Sequence, residues 1–357
     1  MNAKGRLLEL DCLRGIAVIF VITFHFTLGE PNLKPYFRFG CTGVDLFFMI
    51  SGFVIFLTIE KTKHWKDFLI SRFSRLFPAY WTGVTLTTLF ILGWSAAIKS
   101  HHTFPDLTAY LVNLTMIPSY FNVRYIDGVY WTLLVELLFY LLMLGIFLVK
   151  KLNQIEWICF FTLILCLVNG ILFKAQLIGV HDFFKQYLPI LTFFPLFAAG
   201  IMFYRIKFHK ITLYRCLLIV FCLVVQVALF DDTGKAGAMT MMQYTLIVAV
   251  YFALFFLYTF NWLGFIVNKV TLFLGKISYS LYLIHDYIAF FILIPLFTNT
   301  KHFHFNYLVA DFLIVLPIII IMAALINRFV EIPAMHYLRK KWSSRKAEPV
   351  ANERREF

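Results

Sequence analysis

The chain has 357 residues, 61% of them hydrophobic and 14% charged, with 43 Phe, a mean hydropathy of +0.81 and a net charge of +13. An ordinary soluble domain carries roughly 25% charge, so this composition excludes a soluble enzyme, a nucleic-acid-binding domain and a disordered chain. What remains is an all-α polytopic membrane protein, in which basic residues first of all set topology.

A helix needs about 20 mostly apolar residues to cross a hydrocarbon core about 30 Å thick. Ten such spans are expected, the first over 12–29. Basic residues precede it, as in a signal peptide, but no small-x-small cleavage site follows, so it is expected to be retained. It carries Arg14 near its start and His25 further in. At 100° per residue the two lie about 20° apart on one helix face, with His25 about 16 Å deeper, near mid-membrane. Arg14 alone also fits a snorkelling anchor, and His25 alone a helix-to-helix hydrogen bond.

Span 40–60 opens with GVDLFFMISGF (43–53), which sets Asp45 just below the outer surface and offers Ser51–Gly52 for a close helix crossing. The run SRFSRLFP (71–78) leads into span 76–98 with Arg72 and Arg75 on one helix face. Arg is the preferred fork for phosphate, although topology alone also explains basic residues here. Segment 99–129 is the one longer outer loop. His101, His102, Tyr120, Tyr125 and the adjoining Trp131 give it an aromatic and polar surface suited to a sugar, or to an interfacial belt.

Span 130–149 contains YWTLLVELLFY (130–140), with Glu136 about 9 Å below the outer face among Leu and Val. Spans 155–173, 187–204, 212–230 and 239–260 follow. Span 274–297 holds ISYSLYLIHDY (277–287), whose Ser278, Tyr282 and His285 form a polar stripe on one face. Span 307–328 is the last. Residues 1–336 thus read as one integral-membrane domain and 337–357 as a basic, solvated cytoplasmic tail.

With both termini in the cytoplasm, 24 of the 32 Lys and Arg fall on the cytoplasmic side and eight outside. That asymmetry supports the span count and the orientation, accounts for most of the +13, and leaves no need for a nucleic-acid partner. The six cysteines lie mostly in apolar segments, without CxxC or nearby His at ligand spacing, so neither disulfide nor metal is expected.

Taken in order, LDCLRGIAVIFVITFHF (10–26) with its Arg14, ten residues, His25 arrangement, GVDLFFMISGF, RFSRLFPAYW (72–81), WTLLVELLFY, LGKISYSLYLIH (274–285) and FVEIP (329–333) resemble the blocks of acyltransferase family three. These are integral-membrane acyltransferases whose bacterial members include O-acetyltransferases of surface polysaccharides. The resemblance runs from about residue 7 to 335. It departs at Leu137 and Leu138, where many members carry Gln soon after the span-four Glu, and no segment is expected to form the SGNH-type domain fused to some members.

The resemblance implies a bacterial inner-membrane enzyme with no permanently bound cofactor, using acetyl-CoA or another acyl-CoA as donor. The acceptor would be a hydroxyl of a surface carbohydrate or its lipid-linked precursor. His25 would be the general base. Glu136 or Asp45 would orient the imidazole or, with Trp131, bind the acceptor. Arg14, Arg72 and Arg75, with Ser278, Tyr282 and His285, would hold the acyl-CoA. A transient acyl-enzyme is the variant of this scheme. Two rivals stand beside it: a transporter or flippase using the buried Arg, His and Glu as a proton or anion pathway, and a scaffold for polysaccharide assembly. Against transport, the chain shows no paired halves with matching interrupted helices.

Overall fold

The computed structural model of the protein describes residues 7–97, 105–298 and 305–342, and among them every regular element is helical. Lys4, Arg6, Lys99, His101, His102, Lys301, Arg345 and Lys346 lie outside the described residues. Ten main helices follow in chain order: α1 (Leu8–Phe26), α2 (Lys34–Glu60), α3 (Trp65–Ala96), α4 (Gly128–Leu148), α5 (Leu152–Gln176), α6 (Ile190–Phe208), α7 (Leu213–Ala228), α8 (Met241–Thr259), α9 (Lys269–Thr298) and α10 (Val309–Trp342).

Among the described residues, eight of these are long and apolar enough to cross a membrane. The two that fall short are also helices where spans are expected. α1 brings Glu9, Asp11 and Arg14 into its first two turns, and α7 has only 16 residues. The protein is an integral membrane protein with an all-α fold.

Some boundaries differ from expectation, because a helix does not stop where hydropathy stops. α3 begins eleven residues before the apolar run, so Arg72 and Arg75 are helical. α10 continues to Trp342, so the first residues of the basic segment from 337 are helical, and Arg339 among them is half-buried, with its Nε donating to Ser74 Oγ at 3.3 Å. The stretch between α3 and α4 is not plain loop either. Helix Leu107–Asn113 is N-capped by Asp106, and a second short helix, Ile178–Tyr187, precedes α6.

Glycines decide which helices touch. A Cβ on Gly275 would overlap the Asp11 carbonyl oxygen, and one on Gly15 would lie 2.8 Å from the Gly275 backbone nitrogen, so α1 and α9 are in backbone contact. Gly52 on α2 and Gly200 on α6 leave equally little room for each other's helix, which is the close crossing expected at Ser51–Gly52. Small residues at such crossings allow dispersion and weak polar contacts to hold helices in lipid, where apolar burial gives no net drive. From Gly15 to His25 and from Gly275 to His285 are ten residues each. The parallel pair therefore carries its two histidines to the same depth, about 15 Å from the glycine contact.

Candidate active site

His25 sits near the end of α1 with its Nδ1 2.9 Å from the Val21 carbonyl oxygen and 3.2 Å from His285 Nε2. The rings meet edge to face with centroids 4.9 Å apart. His285 Nδ1 lies 2.7 Å from the Tyr282 carbonyl. A carbonyl only accepts, so we assign the His285 proton to Nδ1, which leaves its Nε2 as an acceptor. His25 Nδ1 then faces two acceptors and carries its own proton. The remaining ring atom of a neutral His25, Nε2, keeps a lone pair and takes no hydrogen bond among the described residues. α9 turns π-helical from His285 to Leu293, the kind of local widening found at functional sites.

His25 lines a cavity of about 410 Å³, together with Trp131, Thr132, Lys235, Tyr282 and Asp286. A smaller cavity of about 50 Å³ is lined by Arg14, Ser51, Glu136, Ser278, Tyr279 and Tyr282. Val44, Thr132 and Tyr282 border both, so the two are neighbouring chambers of one interior. Tyr282 OH sits 2.8 Å from Thr132 Oγ1, joining α9 to α4 at this boundary.

The structure thus separates residues that the sequence groups together. Arg14, Glu136, Ser278 and Tyr282 share the small chamber, while His25, Trp131 and Tyr282 share the large one. Glu136 accepts hydrogen bonds from Ser51 Oγ at 2.9 Å and from Tyr140 OH, and touches Arg14's chamber rather than the imidazole. The group that orients His25 from another helix is His285, expected from the sequence on the donor side.

Asp45 does not touch His25 either. It is fully buried, with Oδ1 2.9 Å from Lys235 Nζ, which itself is 6% exposed and lies 5.1 Å from the Phe193 ring centre. Removing one partner of such a buried pair strands the other charge, at a cost of about 3–5 kcal/mol, whereas removing both is often neutral. Asp45→Ala is therefore expected to destabilise the protein by about that amount, and Asp45→Asn with Lys235→Met by much less. Thermal unfolding of the solubilised proteins checks this, and equal losses would mean the pair is not coupled.

At the other end of the interior, Arg14 is within electrostatic reach of Arg75 and Glu136. Arg72 has its guanidinium 5.8 Å from the Tyr140 ring and donates to Ser71 Oγ at 2.9 Å. Arg339 joins Arg72 and Arg75 from α10, reaching Ser71 and Ser74. Arg14 and Arg72 thus lie near Glu136 with Arg75 and Arg339 next to them, an arrangement that favours a multiply charged anion. A further cavity of about 400 Å³, lined by Lys61, Thr62, Ser71 and Arg339, opens beside them.

Sequence reasoning passed over Asp127, Asp286, Lys235 and Arg339. Asp127 accepts from the Val129 and Tyr287 backbone N–H groups at 3.2 and 3.1 Å, tying the approach to α4 onto α9. Burial and the adjoining Asp286 carboxyl push Asp127 well above the usual carboxylate range, and two carboxyls in contact do not both ionise. Asp286 had a signal in its position next to His285. Lys235 and Arg339 had none, because nothing local distinguishes them from topological charge. Among the described residues no group of three His, Cys, Asp or Glu could hold a metal ion.

A family pattern described as an acyltransferase domain matches residues 7–327. The chain is similar to the acetyltransferase-named ORF330 product of Acidianus two-tailed virus, at 24% identity over 282 residues, covering 76% of this chain and 80% of that one. It is similar to the peptidoglycan O-acetyltransferase OatA of Listeria monocytogenes, at 27% over 148 residues, covering 38% of this chain and 23% of that protein. The O-acetyl transferase of Shigella phage Sf6 is 30% identical over 145 residues, covering 37% and 43%. The chain thus spans less than half the length of these last two relatives. No solved structure matches it. A match over nearly the whole described bundle, including both chambers, places the protein in the acyltransferase-domain family of integral membrane proteins.

Proposed function

We propose that the protein is a membrane O-acyltransferase that moves an acyl group, with acetyl the first to test, from cytoplasmic acyl-CoA to a hydroxyl of a cell-surface carbohydrate or its lipid-linked precursor. The observation that carries this is the His25–His285 pair, which leaves His25 Nε2 without a hydrogen bond among the described residues, at a cavity that shares Tyr282 with the chamber lined by Arg14 and Glu136. The names of the Listeria and phage relatives support O-acetyl transfer, and the basic asymmetry of the loops supports an orientation with the arginines inside and both termini cytoplasmic. A bacterial inner membrane is the compartment in which acyl-CoA and a lipid-linked sugar meet.

In this reading Arg14, Arg72, Arg75 and Arg339 hold the phosphates of the donor, with room for its nucleotide in the cavity beside Lys61. The thioester reaches past Ser278 and Tyr282 toward His25. His25 Nε2 takes the proton of the acceptor hydroxyl as its oxygen bonds to the thioester carbonyl carbon. Collapse of the tetrahedral intermediate breaks the C–S bond, and the departing thiolate recovers the proton from the imidazolium as free CoA. His285 Nε2 accepts from His25 Nδ1–H throughout, which orients the ring and stabilises its cation.

Release of CoA from acetyl-CoA by the protein in lipid nanodiscs, with no ion gradient, tests this reading. Arg14→Ala and Arg72→Ala are each expected to raise KM for acetyl-CoA about tenfold or more, with a smaller effect on kcat, because a charge-assisted contact contributes roughly 1.5–3 kcal/mol. Unchanged KM in both variants would remove the arginines from the donor site. Gradient-dependent flux without CoA release would instead favour a transporter.

A further inference from the structure

The large chamber has a wall that the mechanism leaves unused. Between α7 and α8 the chain runs along it as Phe230–Thr233, then Gly234 at φ +75°, then Lys235. The start of this segment is held by side chains. Asp232 accepts from Lys174 Nζ at 2.9 Å and lies 3.5 Å from His181 Nε2, while His181 Nδ1 is 3.0 Å from the Asn169 carbonyl. Thr233 Oγ1 donates to the Phe230 carbonyl at 2.6 Å, closing the turn. Gly234 supplies the left-handed conformation that lets the chain double back. The result is that Thr233, Gly234, Lys235 and Ala238 line the same cavity as His25 and Trp131.

The charge of that cavity can be read residue by residue. Among its described lining residues only Lys235 and Asp286 carry full charges apart from the histidine. The Lys235 ammonium is already balanced by Asp45 at 2.9 Å, which leaves two of its three N–H donors for a neutral acceptor. Asp286 lies beside the buried Asp127 carboxyl, so the acidic side of this cavity is a carboxyl pair that would repel an entering anion. An entering carboxylate or phosphate would meet no uncompensated cation and one carboxyl pair. An uncharged ring would meet the Lys235 side chain, Thr132 and Thr233, and Trp131, whose ring packs 5.4 Å from Phe193. The volume of about 410 Å³ is within the range of small-molecule sites.

We propose that Lys235, carried into the chamber by the segment Phe230–Ala238 and neutralised by Asp45, is a specificity-determining residue that hydrogen-bonds a hydroxyl of an uncharged sugar ring seated against Trp131. This rests on the acyltransferase reading for the identity of the chamber as the acceptor site, and it adds the charge class of the ring to be acylated.

The test is donor-free binding by saturation-transfer NMR on the full chain in nanodiscs. The probes are methyl glycosides of glucose, galactose, mannose and N-acetylglucosamine against the methyl glycosides of glucuronic and galacturonic acid. At least one uncharged glycoside is expected to bind at least tenfold more tightly than its uronic counterpart. Binding is expected to fall at least fivefold in the charge-neutral pair Asp45→Asn with Lys235→Met, which avoids a stranded charge, and to be partly restored in Lys235→Arg. A preference for the uronic acids, unchanged binding in a folded double variant, or no binding of any uncharged glycoside would overturn the proposal. CoA release by the wild-type protein is read separately: its absence with glycoside binding intact would sink the donor reading and leave this one standing.

Discussion

Acyl transfer by the His25→Ala protein is expected to fall by about 10²–10⁴-fold, the range supplied by a positioned general base, while membrane insertion and the elution profile stay as in the wild type. Among the described residues His25 has one hydrogen bond to another helix, at His285, so its removal leaves the packing of α1 on α9 to the glycines further down. His285 acts on the reaction only through His25 Nδ1, and its loss should be milder, about 10–100-fold by analogy with groups that orient a reacting histidine. A graded series follows. His285→Gln, whose side-chain oxygen can accept in place of Nε2, should retain more activity than His285→Ala. The double variant should be little worse than His25→Ala, because groups acting as a unit are not additive. Initial rates of CoA release in the presence of acceptor measure all four. A His25→Ala protein within threefold of wild type would remove the histidine from the chemistry.

Gly275→Val should have the largest effect on folding. Its Cβ would overlap the carbonyl oxygen of Asp11, and the atoms it meets are backbone rather than the movable end of a side chain. α1 and α9 must part, and overpacking of this kind costs about 3 kcal/mol at the upper end of its usual range. Beyond that cost, the separation propagates ten residues along both helices to the histidine pair, so surviving protein should also lose activity. Gly52→Val should do the same between α2 and α6. Gly93→Ala and Gly145→Ala are the controls. Nothing lies within 4 Å of a Cβ at either position, and alanine improves helix propensity by up to about 1 kcal/mol. Thermal unfolding by size-exclusion chromatography separates the two classes. A monodisperse Gly275→Val protein melting with the wild type would mean that the α1–α9 contact is not the tight one described here.

Both expectations depend on one feature that is legible in the sequence only in hindsight. Gly15 and His25, and Gly275 and His285, are equally spaced, and the two helices run parallel with glycine against glycine. Spacing along one chain segment defines a face. It does not say which distant helix that face meets. The stripe Ser278, Tyr282 and His285 was visible as a stripe, yet its members divide: Ser278 turns to Arg14's chamber and His285 to His25.

The sequence by itself determined the membrane class and the all-α fold, and it singled out His25, Arg14 and Glu136 as candidates. Each of these follows from local energetics: about 20 apolar residues must hydrogen-bond their backbone internally in lipid, and an ionisable group there is too costly to keep without a use. Only the tertiary structure decided the partners. It joined Asp45 to Lys235 across 190 residues, set His285 rather than a carboxylate on His25, and brought Arg339 from the last helix to the arginines of α3. It also extended α3 and α10 beyond their apolar runs, since a helix needs hydropathy to enter the bilayer but not to continue past it. These pairings come from close backbone approach at a few glycines. That approach is a property of two surfaces meeting, which no single segment contains.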